Sequence, residues 1–303
     1  MKAFHLHRKT AGDLVFDGVN CVVMIFLIVV TLYPFWNTLV YSLNSSLDSL
    51  RGGLYLWPRK FTLSNYTLIL SQQNIYWASV LSVLRASIGA LANVMCTVVI
   101  GYALTQKTFV LNRFYAYLFV FSMYFSGGLI PSYFLVRDLH LLNNFMVYIL
   151  PGIVSAWNIM VVRSYISGLP ASLVESARID GASELKIIFS IIFPLSMPVV
   201  ACIILFVAVG QWNSWFDTML YCGNNQALST LAYELQKVLQ TSQSLSTQQS
   251  MSQALIPAAM RNVITPQSVR ATMTIITIIP IICVYPFLQK YFVKGLTLGG
   301  VKG

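Results

Sequence analysis

Six stretches of the chain are long and apolar enough to cross a membrane, and this pattern constrains the fold more than any other feature of the sequence. A membrane-spanning helix needs about 20 mostly apolar residues. We expect the spans near residues 18–43, 77–105, 114–135, 144–166, 197–221 and 271–292. The sequence therefore predicts an all-α polytopic membrane protein, with six transmembrane helices in a single domain covering residues 1–303.

The composition excludes an ordinary soluble protein. Charged residues make up only 9% of the chain, whereas soluble domains carry about 25%. In a soluble domain the net charge of +10 would suggest a nucleic-acid partner, but here the basic residues are spread between the apolar runs. We interpret them as the excess of Lys and Arg that cytoplasmic loops carry, and expect no nucleic-acid partner. Most of these 19 residues fall on the side of both termini, which predicts cytoplasmic termini.

Residues 169–198, between the fourth and fifth spans, contain three of the nine acidic residues, and we call them the loop segment. Gly181 suits a helix end that needs a residue at positive φ. Ser183 can cap a second helix, and Glu175 and Arg178 have the spacing of an i,i+3 pair. The loop segment is therefore predicted to form two short helices joined by a tight turn at the cytoplasmic surface.

The loop segment resembles the EAA loop of ABC importer permeases. That loop has the general form E-A-A-x-x-D-G-A, followed by an apolar helix and then by P-x-x-x-P. The matching residues are Glu175, Ala177, Asp180, Gly181, Ala182, Phe189, Ile192, Pro194 and Pro198. Ser176 stands where the family usually has its first alanine, which exchanges one small residue for another. In the family this loop is a coupling helix that docks in a cleft of the ATPase subunit.

The resemblance therefore implies a cytoplasmic coupling helix between the fourth and fifth spans. The residues to which it assigns coupling to the ATPase are Glu175, Ser176, Ala177, Asp180, Gly181, Ala182 and Phe189.

The resemblance covers nearly the whole chain and is greatest to the carbohydrate importers, as the shorter six-span partner of a maltose- or alginate-type permease pair. It also rests on FTLSNYTLIL at 61–70, GQWNSWFDTMLY at 210–221 and PFLQKYFVKGLTLGGVKG at 286–303. It implies a protein of the bacterial cytoplasmic membrane, surrounded by lipid, that works with a second permease, two ATPase subunits and an extracytoplasmic solute-binding protein. The implied substrate is a sugar, with an oligosaccharide favoured, and the implied mechanism is alternating access driven by ATP.

The chain lacks the motif needed to hydrolyse ATP by the P-loop route. It contains no G-x-x-x-x-G-K sequence, whose backbone would cradle phosphates. We therefore expect no cofactor on this chain, and ATP with Mg²⁺ to be used by the partner ATPase. No HExxH or G-x-S-x-G motif is present, and the five cysteines lack CxxC spacing. The sequence thus predicts a transport subunit without catalytic residues or a metal site, not an enzyme.

Aromatic and amide side chains in the fifth span supply the chemistry that binds sugars. Trp212 and Trp215 are three residues apart, and Asn213 and Asp217 are four apart, so each pair is expected to share a helix face. Polar groups in a membrane helix are costly unless they face a cavity or another helix, which predicts a substrate path here. Alternatively, the tryptophans anchor the span at the membrane interface and Asn213 bonds to a neighbouring helix. Arg85, in the second span, is a further path candidate that could instead snorkel outward or pair with the partner permease.

Three other functions compete with a sugar importer subunit. A self-sufficient secondary transporter or channel would need carboxylates near the middle of the membrane, and Asp217 is the only acid clearly within a span. A membrane enzyme would need a catalytic constellation that the motifs do not supply. An ABC permease for a non-sugar solute fits the loop segment equally well, but the tail and the fifth-span tryptophans favour a sugar.

Overall fold

The computed structural model describes residues 11–240 and 265–299, and the side chains of residues 12–240 and 265–286. Throughout these ranges the regular structure is helical, and the one extended pairing is an isolated antiparallel bridge between Asn44 and Phe61. The prediction of an all-α chain is therefore confirmed for the described residues. The side chains of the predicted tail motif after residue 286 lie outside them.

The helices follow one another along the chain with short connections. They are α1 (Ala11–Ser42), α2 (Ser46–Ser49), α3 (Ser64–Leu70), α4 (Gln73–Ala103), α5 (Asn112–Tyr124), α6 (Leu129–Asp138), α7 (Ala156–Ser167), α8 (Ala171–Ile179), α9 (Glu184–Ile187), α10 (Phe193–Leu195), α11 (Met197–Asn213), α12 (Phe216–Cys222), α13 (231–240) and α14 (Pro266–Gly299). Short 3₁₀ turns cover Phe145–Tyr148, Leu150–Gly152 and Gln226–Leu228, and a π-helical turn covers Ile188–Ile192. The described residues divide into two compact units, 11–69 with 265–275 and 70–240 with 276–299.

Three helices are each long and apolar enough to cross a membrane. They are Gly12–Ser42, Gln73–Ala103 and Pro266–Pro286. Three bent helix pairs pass the same test together: Asn112–Tyr124 with Leu129–Asp138 (119°), Phe145–Gly152 with Ala156–Ser167 (48°), and Glu184–Leu195 with Met197–Asn213 (84°). By length and composition, the described residues therefore provide three spans, or up to six if each bent pair is one span.

The third, fourth and fifth apolar runs are not continuous helices. Between α5 and α6 the chain is non-helical at 125–128, where Gly128 has a φ of 86°. The fourth run begins with 3₁₀ turns around Pro151 before α7 starts. In the fifth run α11 ends at Asn213, because the next residue, Ser214, is extended with a ψ of 120°. Hydropathy alone does not reveal these interruptions, since each lies within a predominantly apolar run.

In the first unit, a buried polar network fixes the chain that follows α1. Asn44 Nδ2 and Arg59 Nε both donate to Asp48 Oδ2, at 3.1 and 2.9 Å. The hydrogen bonds from Asn44 and Arg59 hold the pKa of Asp48 below its ordinary value, although burial acts in the opposite direction. Asn65 Nδ2 donates to the backbone carbonyls of Ser42 and Asn44 at 2.9 Å each. Side chains therefore tie this loop to the end of α1.

In the second unit, α4 is the central helix and packs against α7 and α11. Small and polar residues recur along its buried face, which lets neighbouring backbones approach closely. Members of that face include Ala78, Ser82, Arg85, Ala86, Gly89, Ala90, Asn93, Thr97 and Gly101. An apolar core then joins α4, α7, the loop segment and α11, formed by Val94, Val98, Tyr102, Val162, Ile166, Ala177, Ile187, Ile188, Ile192, Val200 and Ile203. The loop segment is thus packed onto the unit and is not a free surface loop.

The contact between α4 and α7 is tight at Gly101. A Cβ atom there would lie 3.2 Å from Val162 Cγ1 and 3.4 Å from the backbone nitrogen of Arg163. We expect Gly101→Val to force the two helices apart and to lower the free energy of unfolding by about 1–3 kcal/mol. The measurement is the thermal unfolding midpoint of the purified protein in detergent.

Gly210→Val is the matched control for this prediction. Gly210 lies within α11, and a Cβ atom there would meet no atom within 4 Å. Equal midpoints for the two variants would contradict the close α4–α7 contact.

Candidate functional site

Arg85 and Asp217, two of the residues predicted for the substrate path, form an ion pair that joins α4 to α12. Arg85 Nη1 donates to Asp217 Oδ1 at 3.2 Å, and Arg85 Nη2 donates to Asp217 Oδ2. Arg85 is only 2% exposed, whereas the Asp217 side chain is 25% exposed. The guanidinium is therefore turned into the unit, and its counter-ion comes from this chain.

Gln211 and Tyr148 complete the surroundings of this guanidinium. Gln211 Oε1 accepts from Arg85 Nε at 2.7 Å, and Gln211 Nε2 donates to the carbonyl of Tyr148 at 3.0 Å. The Tyr148 ring lies beneath the guanidinium, with Arg85 Cζ 4.4 Å from the ring centroid. Arg85 Nη1 also donates to the carbonyl of Ser214, the residue that follows α11, at 3.1 Å. One buried cation therefore joins α4, the end of α11, α12 and a 3₁₀ turn.

A second polar cluster lies about two turns further along the same face of α4. Asn93 Nδ2 donates to the carbonyl of Gly152 at 2.8 Å, and Asn93 Oδ1 accepts from Asn158 Nδ2 at 2.9 Å. These bonds satisfy the backbone where the 3₁₀ turns precede α7, as a buried irregular backbone requires. The sequence analysis did not select Asn93, although its position eight residues after Arg85 is a signal that could have found it.

The remaining three path candidates do not join the Arg85 cluster. Trp212 is buried, and its indole nitrogen donates to the carbonyl of Thr277 in α14 at 3.0 Å. Trp215 is half-buried at the helix break and contacts Phe216 edge to face, with ring centroids 5.8 Å apart. Asn213, the last residue of α11, is exposed. Because the helix ends there, the expectation that Trp212 and Trp215 share one helix face is wrong.

The turn of the loop segment has the hydrogen bonds of a Schellman motif, the common helix end with a residue in the left-handed region. The backbone nitrogen of Ala182 donates to the carbonyl of Ala177, and that of Gly181 to the carbonyl of Arg178, both at 3.0 Å. Gly181 has a φ of 74°, where a residue with a Cβ atom costs about 1–2 kcal/mol. Ser183 Oγ then accepts from a backbone nitrogen of α9. The predicted turn and the predicted cap are both confirmed.

The predicted coupling residues divide between the surface and the core of the unit. The exposed members are Glu175, Ser176, Asp180, Gly181 and Phe189. Ala177 is buried, and Ala182 is half-buried behind the turn. The sequence analysis missed Ile179 and Leu185, which flank the turn and are 87% and 65% exposed. Ile179 occupies an x position of the motif and Leu185 follows it, so their exposure shows only in the structure.

Arg178 pairs with Glu184, and not with Glu175 as the i,i+3 spacing suggested. Arg178 Nε donates to Glu184 Oε1 at 3.0 Å, because the turn folds the start of α9 back onto the last turn of α8. Tyr102 Oη donates to Glu184 Oε2 at 2.7 Å, and Arg178 Nη2 donates to Gln106 Oε1 at 2.7 Å. These bonds connect the loop segment to the end of α4.

The chemistry available at the two clusters is that of hydrogen bonding, charge pairing and stacking. Within the part of the chain that the structure describes, no group of three or more His, Cys, Asp or Glu side chains is placed to hold a metal ion.

Comparison with known proteins identifies several relatives. Residues 14–298 match the family described as "Binding-protein-dependent transport system inner membrane component". The chain is 32% identical to Protein LplC of Bacillus subtilis (strain 168), over the full length of both chains. It is also 32% identical to the polygalacturonan/rhamnogalacturonan transport system permease protein YtcP of the same organism, over 89% of this chain and 92% of the relative.

A solved structure shares the fold. It is the crystal structure of a bacterial ABC transporter involved in the import of the acidic polysaccharide alginate. The similarity has a TM-score of 0.82 and 26% identity, and it covers 94% of this chain and 99% of that chain.

Removing the carboxylate of Asp217 should destabilise the protein, because Arg85 would be left as a buried charge without its counter-ion. We expect Asp217→Ala to cost about 3–5 kcal/mol, seen as a lower midpoint of thermal unfolding in detergent.

The control for Asp217→Ala is Asp138→Ala. Asp138 pairs with Arg137, but the two side chains are 65% and 52% exposed, so the expected cost is about 0–1 kcal/mol. An Asp217→Ala protein as stable as the Asp138→Ala protein would show that Arg85 does not depend on this carboxylate.

Proposed function

The chain belongs to the family of inner membrane components of binding-protein-dependent transport systems, and on this basis we propose that it is a transmembrane subunit of an ATP-driven sugar importer. The observation that carries this proposal is the match to an alginate importer chain over nearly the full length of both chains. A second relative is named for transport of polygalacturonan and rhamnogalacturonan. Both names refer to polysaccharides, which supports an oligosaccharide as the substrate class.

The complete importer contains a second permease subunit, two ATPase subunits and an extracytoplasmic solute-binding protein. The solute-binding protein delivers the sugar to the outer side of the permeases. ATP with Mg²⁺, bound by the ATPase subunits, closes them and opens the permease cavity outward, and hydrolysis returns it inward. In this chain the six spans are α1, α4, the α5–α6 pair, the bent run 145–167, α11 and α14, with both termini and the loop segment in the cytoplasm.

The loop segment is the coupling element of this importer. Its support is that five of the predicted coupling residues lie on an exposed surface around the turn, while the isoleucines behind them are packed in the core. We assign ATPase contact to the exposed set. We add Ile179 and Leu185 to it, because both flank the same turn and are 87% and 65% exposed. Ala177 and Ala182 serve the same role indirectly, by allowing the turn to pack closely.

The break between α11 and α12 is the substrate-path element. Asn213, Trp215 and the exposed edge of Asp217 supply amide, aromatic and carboxylate groups in five residues of chain. Two buried residues hold these groups in place. Arg85 forms the ion pair with Asp217, and Trp212 donates a hydrogen bond to α14. Broken helices are typical of transport sites, because their unwound backbone is tolerated where it lines a cavity.

The importer assignment is tested by isolating the tagged chain from its native host in mild detergent. We expect mass spectrometry to find an ATPase subunit and a second permease, and the eluate to hydrolyse ATP. The solute-binding protein that co-purifies, or that is encoded beside this chain, is then titrated with galacturonate, alginate, arabinose and maltose oligosaccharides. An intact lone chain without ATPase activity in several detergents would favour a self-sufficient transporter, and a binding protein that prefers amino acids or phosphate would move the chain to a non-sugar importer.

Gly181→Val should uncouple the importer while leaving the chain folded. The left-handed φ of Gly181 is strained for valine, but no atom lies within 4 Å of the added Cβ, so the change is confined to the turn. We expect ATP-dependent uptake by reconstituted vesicles to be lost while the thermal midpoint changes little. Gly181→Asn is the matched variant, because asparagine tolerates this region, and it should retain much of the uptake. Normal uptake by Gly181→Val would count against the coupling role.

A further inference from the structure

Four side chains form a closed polar cluster between the loop segment and the end of α4. Both oxygens of the Glu184 carboxylate are used, one by Tyr102 and the other by Arg178, whose Nη2 lies 2.9 Å from Oε1. Arg178 reaches on to Gln106, three residues beyond the end of α4. We call Tyr102, Gln106, Arg178 and Glu184 the clasp. Since they come from α4, the chain after it, α8 and α9, the clasp connects separate elements.

A cavity of about 430 Å³ adjoins the clasp. It lies between α8 and the chain that follows α4, and its walls include Gln106, Lys107 and Thr108 on one side and Leu173, Glu175 and Arg178 on the other. This side of α8 is therefore not packed continuously against its neighbour. The buried side of the loop segment, by contrast, is held by the apolar core that contains Ala177 and Ile187. The cavity leaves space for α8 to tilt.

The two kinds of contact constrain the loop segment differently. Apolar packing holds the segment against the unit through many weak contacts, none of which is a directional bond. Hydrogen bonds weaken steeply when their geometry is distorted, so the clasp opposes a tilt of α8 relative to α4. The Arg178 and Glu184 side chains are 36% and 56% exposed, so their pair contributes little to stability. The contribution of the clasp is therefore to orientation.

From the clasp, α4 leads directly to the helix break of the substrate path. Tyr102 and Arg85 are 17 residues apart on one unbroken helix, which corresponds to about 26 Å. A helix transmits a displacement along its length, and Arg85 is bonded to Gln211 in α11, to Ser214 at the break and to Asp217 in α12. A tilt of the loop segment that pulls on Tyr102 is thus passed to Ser214 and Asp217.

We propose that the clasp is the joint through which movement of the loop segment reaches α4 and the break between α11 and α12, with Arg178 and Glu184 as its positioning residues. This inference rests on the proposed function, because it requires an ATPase that moves the loop segment. It predicts that breaking the clasp separates nucleotide-driven movement at the loop segment from movement at the break, while the chain stays folded and assembled.

The test uses the whole importer, isolated as described above, with the native cysteines replaced and Met219→Cys as a reporter. Met219 lies in α12 and is 37% exposed. Maleimide labelling of this position is timed with and without a non-hydrolysable ATP analogue and Mg²⁺, so that no sugar needs to be known. In the protein with an unaltered clasp, we expect the nucleotide to change the labelling rate. Arg178→Gln or Glu184→Gln should reduce that change by at least about fivefold, which is the lower end of typical coupling between two sites.

Three controls separate a joint from a merely structural contact. Arg137→Gln removes an exposed arginine that pairs with Asp138 in α6, and it should leave the nucleotide response intact. The exchanged pair Arg178→Glu with Glu184→Arg should restore the response. Tyr102→Phe keeps the ring in the core but removes the hydroxyl that bonds to Glu184, and it should weaken the response.

The inference is overturned if Arg178→Gln and Glu184→Gln respond to nucleotide like the parent, or if the exchanged pair fails to restore the response. It is also overturned if either single variant loses the ATPase subunits or melts at a much lower temperature, since the clasp would then serve docking or stability. Failure of the proposed function has a different signature, because the parent complex itself would contain no ATPase subunit and show no nucleotide response.

Discussion

The arrangement of the second unit depends on the need to satisfy one buried cation. Arg85 lies about 18 Å from the start of an apolar helix about 46 Å long, where a charged group is tolerated only with partners. Those partners come from α11, α12 and the 3₁₀ turn that contains Tyr148. The breaks in the chain supply some of the acceptors, since Ser214 offers its carbonyl to Arg85 and Tyr148 offers its carbonyl to Gln211. The irregular backbone and the buried charge therefore stabilise each other.

A single helix connects the two regions that the proposed function needs. One part of α4 carries Arg85, and the other end carries Gly101 and Tyr102 against α7 and the loop segment. The small residues between them allow close packing along the helix, which favours a rigid element over a flexible one. Alternating access requires that movement at the ATPase side reach the substrate path. An unbroken helix with polar contacts at Arg85 and at Tyr102 provides a physical route.

The sequence anticipated the local structure of the loop segment better than that of residues 212–217, and the reason is the range of the interactions involved. The turn at Gly181 and the cap at Ser183 depend on backbone geometry within a few residues, so the local pattern was sufficient. The spacing of Trp212 and Trp215 predicted a shared face only on the assumption of a continuous helix, and α11 ends between them. The pairing of Arg178 with Glu184 likewise depends on how the turn folds one helix back onto the other, which an i,i+3 rule does not represent.

Sequence alone was enough to predict a helical membrane protein and the turn of the loop segment, because apolar length, charge depletion and short motifs act through the local backbone and the bilayer. The pairing of Arg85 appears only in the folded protein, since its counter-ion lies 132 residues away along the chain. Packing also decided where the apolar runs break, and it brought Tyr102 and Gln106 to the loop segment. These contacts join residues that no period or spacing relates, so they exist only once the helices have packed.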